Sequence, residues 1–263
     1  MPFTLSSSFA ALAWPAVMAI LGAGLGVQCS RVALAYGRRL DAGAPPDAAS
    51  MMHALRAAIH PCAIAAVAHG MVVAADNPVR AQARATWFGR RAACTMATGF
   101  VALHAQYGLD AYFFAAALAG LLLLLLALID AQTGLLPDAL TQPLLWLGLA
   151  SSWAGAGPPL HDALAGAILG YGFLWCLLLI MRSLIGRDAM GHGDLKLLAA
   201  LGAWLGWQAL PWVLLLACFL GLVFAMWRQK SFRPRGEHPF GPFLAGCAAG
   251  VFLAPTAVHS WFC

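Results

Sequence analysis

The apolar residues of this chain are gathered into long continuous runs. The runs cover about residues 9–27, 92–106, 111–129, 139–154, 163–181, 195–207, 210–227 and 240–258. A helix needs about 20 mostly apolar residues to cross a bilayer, and lipid admits only helices or closed barrels as spanning structures. Because the runs are continuous instead of alternating, they predict helices. We therefore expect an all-α, polytopic membrane bundle with about eight transmembrane helices.

Composition excludes an ordinary soluble protein. The chain is 62% hydrophobic and 10% charged, with a mean hydropathy of +0.79, whereas soluble domains average roughly 25% charged residues. Such a chain cannot cover itself with polar surface, so lipid is its expected solvent. The net charge of +5 does not indicate nucleic-acid binding, because membrane proteins place Lys and Arg on cytoplasmic loops for topological reasons.

The basic residues predict the orientation in the membrane. All 15 Lys and Arg residues lie in the stretches 31–91, 182–196 and 228–235, and the connectors 107–110, 155–162 and 208–209 contain none. The positive-inside rule places the basic stretches in the cytoplasm, which puts both termini in the periplasm of a bacterial inner membrane. No basic residue precedes the first run, so we expect a retained helix instead of a secretory signal.

The distribution of polar residues suggests three parts. Residues 1–35 hold the first transmembrane helix, residues 36–91 form a cytoplasmic loop or small domain, and residues 92–263 form the membrane-embedded core. His60, Cys62 and His69 lie in the polar part, but their spacing matches no familiar zinc pattern, so surface histidines are the favoured interpretation. The 7 cysteines include no CxxC pair, and neither a zinc site nor a disulfide framework is predicted.

Three of the 10 acidic residues adjoin apolar runs, where a carboxylate is costly and usually functional. Asp130 ends one run, at a helix C-terminus whose dipole disfavours an anion. Asp138 and Asp194 each precede a run, and either could simply cap a helix N-terminus. Capping does not explain Gly191 and Gly193, which let backbone or substrate approach closely.

The predicted topology brings Asp130 and Asp194 to the same membrane depth on the cytoplasmic side. Two close carboxylates cannot both ionise easily, so they share a proton and titrate as a unit. The ionised member can activate water while the protonated member polarises a carbonyl, without a cofactor or metal. Ion or proton translocation by the same two residues is an open alternative at this point.

Three segments resemble the signature of type IV prepilin leader peptidases, which are membrane proteases of the GxGD type. They are LIDAQTGLLPDALT at 128–141, GHGDLKLLA at 191–199 and PFGPFLA at 239–245. The resemblance places the catalytic aspartates at Asp130 and Asp194. The remaining motif or substrate-positioning candidates are Pro137, Asp138, Gly191, Gly193, Lys196, Pro239, Gly241 and Pro242.

The resemblance also implies a reaction. Members of that family remove the short basic leader of type IV prepilins or pseudopilins, which serve pili or type II secretion, at the cytoplasmic membrane face. Many members then N-methylate the new N-terminus with S-adenosylmethionine. This sequence lacks their paired CxxC zinc motifs and has Thr95 where they usually have Glu, so zinc is not expected and methyl transfer stays an open question.

Two other functions compete with the peptidase. A proton-coupled transporter would use the same aspartates as relay groups, but transporters often contain internal repeats and none is evident between the halves of this chain. An inactive assembly factor of a pilus or secretion system would not need intact aspartates. The peptidase is therefore the favoured prediction, with prepilins and membrane lipid as its partners.

Overall fold

The structure, a computed structural model, describes residues 5–59, 78–185, 191–230 and 239–253. Every regular element within these ranges is a helix, which confirms the all-α prediction. In chain order the helices are α1 Leu5–Asp41, α2 Ala48–Ile59, α3 Pro78–Tyr107, α4 Ala111–Thr133, α5 Asp138–Trp153, α6 Leu160–Ile185, α7 His192–Leu205, α8 Leu210–Gln229 and α9 Gly241–Leu253.

Four of the described helices are long and apolar enough to cross a membrane. These segments are Trp14–Asp41 of α1, Ala111–Thr133, Leu160–Leu184 and Leu210–Gln229. Gly241–Leu253 is a shorter apolar helix. The protein is thus a polytopic helical membrane protein, while the total of about eight spans stays a prediction.

The polar region between the first two predicted runs is mostly helical where the structure describes it. Helix α1 continues to Asp41, α2 follows after a short turn, and α3 begins at Pro78, well before the apolar run that starts near Ala92. The first half of α3 carries several arginines, so hydropathy alone did not reveal it. His60, Cys62 and His69 lie outside the described residues.

The chain divides into two compact units, Met1–Leu125 and Leu126–Cys263, with the boundary inside α4. This boundary differs from the predicted divisions at residues 35 and 91, which remain a proposal. In the first unit, α1 packs closely on α3 because Gly22 and Gly26 lie against the backbone of Met96 and Ala92. Small residues at such crossings let helix backbones approach within a membrane.

Helix α7 is the centre of the second unit and packs against α5, α6, α8 and α9. Nearly all of its residues from Leu195 to Trp204 are buried. Gly166 of α6 and Gly202 of α7 meet backbone to backbone, which a Cβ atom on either would prevent. At the same end of α7, the Trp204 Nε1–H donates a 2.8 Å hydrogen bond to the Leu144 carbonyl. The opposite end of α7 carries Asp194.

Candidate active site

Asp130 lies in the last turn of α4 and is only 4% exposed. Its Oδ2 accepts a 2.8 Å hydrogen bond from the backbone N–H of Gly241, the first residue of α9. The dipole of α4 disfavours an anion at this position, whereas a helix N-terminus attracts one. The start of α9 therefore supplies the electrostatic compensation that the end of α4 lacks.

The residues around Gly241 suit this contact. A Cβ atom at Gly241 would lie 2.7 Å from Asp130 Oδ2 and 3.1 Å from its Cγ, so the carboxylate has room only beside a glycine. Pro242 follows in the first turn of α9, where a missing N–H costs nothing because the first amides of a helix have no partner within it. Pro239 lies just before the helix and is partly buried.

Asp194 lies in the first turn of α7, which begins at His192 with Gly191 as its N-cap residue. Burial and, to a smaller degree, the charge of Asp130 together raise the pKa of the Asp194 carboxyl to about 7. The two aspartates therefore lie within electrostatic range of each other in the second unit. A pair so arranged holds one proton near neutral pH.

The two capping alternatives prove wrong. The N-cap of α5 is Pro137, which is buried, and the N-cap of α7 is Gly191. Neither helix has a side-chain capping hydrogen bond. Asp138 instead lies one residue after the N-cap of its helix, and Asp194 lies three residues after the N-cap of its own. Both carboxylates still interact favourably with the positive end of the helix dipole.

Asp138 has a different partner. Both of its carboxylate oxygens accept hydrogen bonds from Lys196 Nζ, each at 2.6 Å. The pair joins the first turn of α5 to the second turn of α7. Next to it, Gly193 is pressed against Leu136, whose Cβ would lie 2.7 Å from a Cβ at Gly193. Gly193 is thus required for close contact between α7 and the chain that leads into α5.

The predicted site residues therefore form two contact groups. Asp130 meets Gly241, and Lys196 meets Asp138, while Pro137, Gly191 and Gly193 shape the starts of α5 and α7. Sequence reasoning missed that a backbone amide would face Asp130, although the glycine between Phe240 and Pro242 was a signal for it. Met190, which precedes the glycine motif, lies outside the described residues.

No cluster of three or more His, Cys, Asp or Glu side chains suited to a metal ion occurs within the described ranges. Cys29 and Cys247 are buried, whereas Cys94, Cys176 and Cys218 are exposed. Thr95 uses its hydroxyl within its own helix, donating to the carbonyls of Arg91 and Ala92.

Comparison with known proteins points to one family. Residues 116–226 match the sequence model of the type IV leader peptidase family. The chain is 53% identical over 135 residues to the prepilin leader peptidase/N-methyltransferase of Burkholderia pseudomallei, covering 50% of this chain and 43% of that protein. The enzyme of the same name from Dickeya chrysanthemi is 52% identical over 122 residues, covering 46% of this chain and 43% of the relative.

The Klebsiella pneumoniae protein of that name is 59% identical over 96 residues, covering 36% of this chain and 42% of the relative. The matched part thus spans less than half the length of these relatives. No solved structure matches the chain.

Proposed function

Because residues 116–226 carry the sequence of the type IV leader peptidase family, we propose that this protein is a membrane aspartyl endopeptidase. Its substrates are type IV prepilins or pseudopilins, from which it removes the leader peptide at the cytoplasmic face of a bacterial inner membrane. Asp130 and Asp194 are the catalytic pair. The observation that carries the proposal is the buried Asp130 carboxylate at the end of α4, which accepts a hydrogen bond from the Gly241 amide. Its charge acts on the Asp194 carboxyl at the start of α7.

The surroundings of the two carboxylates suggest a division of roles. The Gly241 N–H stabilises negative charge on Asp130, as a charge-assisted hydrogen bond does, so Asp130 is the base. Asp194, with its pKa raised to about 7, is protonated in a large fraction of molecules at neutral pH and is the acid.

The reaction follows from these roles. Asp130 takes a proton from a water molecule, whose oxygen attacks the carbonyl carbon of the scissile peptide bond. Asp194 donates a hydrogen bond to the carbonyl oxygen and stabilises the negative charge that develops there. When the tetrahedral intermediate collapses, the C–N bond breaks and the proton held by Asp130 passes to the leaving nitrogen. The leader leaves with a new carboxyl group, and the mature protein begins with a free amine.

The test is cleavage of a purified prepilin by the full chain in lipid nanodiscs, followed by sequencing of the product's N-terminus. We expect Asp130→Asn and Asp194→Asn to lower the rate by on the order of 10³-fold or more. Asp110→Asn, which changes an exposed carboxylate in the first unit, is the matched control and should cleave normally. Full cleavage by either Asp130→Asn or Asp194→Asn would refute the catalytic assignment.

A failure to cleave by the unaltered chain would refute the peptidase. Proton flux through the same protein in liposomes would then support the transporter alternative. The proposed orientation is tested by reporter fusions, with Tyr107 and Ala156 expected on the periplasmic side and Lys230 on the cytoplasmic side.

We propose that proteolysis needs no cofactor and no zinc, because two carboxylates and water supply every proton transfer in the scheme. Cleavage should therefore survive chelators, and elemental analysis should find no stoichiometric zinc. The relatives' name also includes an N-methyltransferase, whose methyl donor would be S-adenosylmethionine. We propose that this chain does not methylate its product. A mass gain of one methyl that depends on S-adenosylmethionine would overturn this part alone.

A further inference from the structure

The Asp138–Lys196 ion pair lies directly beside the candidate catalytic residue Asp194. Lys196 is two residues beyond Asp194 on α7, and its Nζ donates to both oxygens of Asp138 at 2.6 Å. On the other side of Asp194, Gly193 packs against Leu136. The residues that contact the start of α5 therefore bracket Asp194 within a single turn of α7.

Resting on the proposed function, we propose that Asp138 and Lys196 form a clamp that positions Asp194 for catalysis. The clamp joins the first turn of α5 to the second turn of α7. The Leu136–Gly193 contact also holds the starts of these two helices together. A lateral shift of the start of α7 would move the Asp194 carboxyl away from Asp130. Displacing a catalytic group by about 1 Å can lower the reaction rate roughly 100-fold. A small shift of Asp194 therefore matters to catalysis even where it hardly affects folding.

The exposure of the pair argues that its role is local. The side chains of Lys196 and Asp138 are 37% and 54% exposed, and ion pairs so accessible to water contribute little to global stability. Asp138 has no capping hydrogen bond that would explain its place at the start of α5. A bidentate contact between two particular helices is nevertheless specific in geometry, which is what positioning requires.

The pair also holds the positive charge of Lys196 beside Asp138 and away from the two candidate catalytic carboxylates. An ammonium group close to the two catalytic carboxylates would stabilise their ionised forms and so remove the proton that they share. With Nζ bound to both oxygens of Asp138, the lysine is neutralised by a carboxylate that takes no part in the chemistry. The clamp thus keeps Asp194 in place without bringing a competing cation into the dyad.

The test compares Asp138→Asn, Lys196→Met, Lys196→Arg and the charge-reversed double variant D138K/K196D in the prepilin cleavage assay. We expect each of the two neutralising variants to lower kcat roughly tenfold with little change in KM, because substrate binding does not depend on the clamp. Lys196→Arg keeps the charge and the bidentate contact and should retain most of the activity. The reversed pair should recover a large part of the lost kcat.

Asp162→Asn is the matched control, because it removes a bridging carboxylate near the opposite end of α7. There the Trp207 Nε1–H donates a 3.1 Å hydrogen bond to Asp162 Oδ1. This variant should leave kcat unchanged. Equal loss of kcat in Asp162→Asn would show that any polar contact of α7 matters, and this result would overturn the clamp.

The outcome separates the clamp from the proposed function. If the unaltered chain cleaves, Asp130→Asn does not, and both neutralising variants keep wild-type kcat, the clamp is refuted while the peptidase stands. A pure KM effect in those variants would also overturn the clamp, because it would place the pair in substrate binding. Failure of the reversed pair to recover any kcat would show that the two residues act separately, against the clamp.

Discussion

The two units of the chain differ in how their helices are joined. In the first unit, α1 and α3 meet through glycines and an apolar core, in which Phe100 and Phe113 lie edge to face at 6.1 Å. One polar contact between helices of this unit is weak: Cys29 Sγ of α1 lies 3.9 Å from the Leu121 carbonyl oxygen of α4. In the second unit, hydrogen bonds connect α4 with α9, α5 with α7, and the start of α6 with Trp207, two residues beyond α7.

This difference indicates where hydrogen bonds between helices matter most in this protein. Hydrogen bonds between membrane helices are modest in energy, and close packing contributes much of their association, as the Gly22 and Gly26 contacts do in the first unit. In the second unit, the Asp130–Gly241 and Asp138–Lys196 contacts lie beside the two candidate catalytic carboxylates, whereas the Asp162–Trp207 contact lies at the other end of α7. We therefore expect substitutions of the contacts beside Asp130 and Asp194 to affect catalysis, and substitutions at the close glycine crossings between helices to affect stability in both units.

The largest effect should come from the glycine that faces Asp130. Gly241→Ala places a methyl group 2.7 Å from Asp130 Oδ2, so the carboxylate must move and its hydrogen bond must stretch. We expect prepilin cleavage to fall roughly 100-fold. Gly246→Ala on the same helix, where a Cβ has open space, should cleave like the unaltered chain. Equal rates in the two variants would show that the Gly241 contact does not matter to catalysis.

Substitutions at the close helix crossings should lower stability equally in the two units. Gly26→Ala meets the backbone of Ala92 in the first unit, and Gly202→Ala meets the backbone of Gly166 in the second. Each should lower the free energy of unfolding in mild detergent by about 1–3 kcal/mol. Gly24→Ala and Gly172→Ala, which have open space, should not destabilise. A large cost in only one unit would break the comparison.

The pH dependence should reveal the proton on Asp194. The acid must be protonated to act, and its pKa is raised to about 7, so the protonated fraction is high below this pH and declines above it. We expect kcat to fall about tenfold per pH unit on the alkaline side. Measurements across pH 5 to 9, with the fold checked by circular dichroism, test this. A rate that stays constant through this range would contradict the assignment of Asp194 as the acid.

The smallest effect should come from Trp204, whose hydrogen bond to Leu144 lies far along α7 from Asp194. Trp204→Phe keeps an aromatic ring but leaves the buried Leu144 carbonyl without the indole donor. We expect a loss of about 1 kcal/mol in the free energy of unfolding, measured by thermal unfolding, with kcat nearly unchanged. In the first unit, Cys29→Ala removes only a 3.9 Å thiol contact and should cost less than Trp204→Phe.

The sequence predicted the features that depend on local composition. Continuous apolar runs identified α4, α6 and α8, because a helix in lipid must be apolar along its whole length. Costly carboxylates beside such runs identified Asp130 and Asp194, whose catalytic role is still a proposal. The arginine-rich start of α3 was missed because a basic, polar helix has no hydropathy signal.

Contacts between distant parts of the chain were beyond the sequence. Asp138 and Lys196 are 58 residues apart, and nothing in the local pattern distinguishes a carboxylate that caps a helix from one that reaches a neighbouring helix. The capping hypothesis failed for Asp138 for this reason, and for Asp194 because α7 begins at His192, with Gly191 as its N-cap residue. The Gly241 contact with Asp130, over a separation of 111 residues, likewise depends on how α4 and α9 pack.

The hydrogen bond to Asp130 has a consequence for how this protein tolerates sequence drift. A side-chain donor is lost whenever its codon changes to one for an apolar residue, but a main-chain amide is present in every residue except proline. Mutation can therefore abolish the donor only through proline, or displace it through the volume of a new side chain. In a saturation library at position 241, tolerance should follow side-chain size and be indifferent to polarity, so serine should fare no better than alanine.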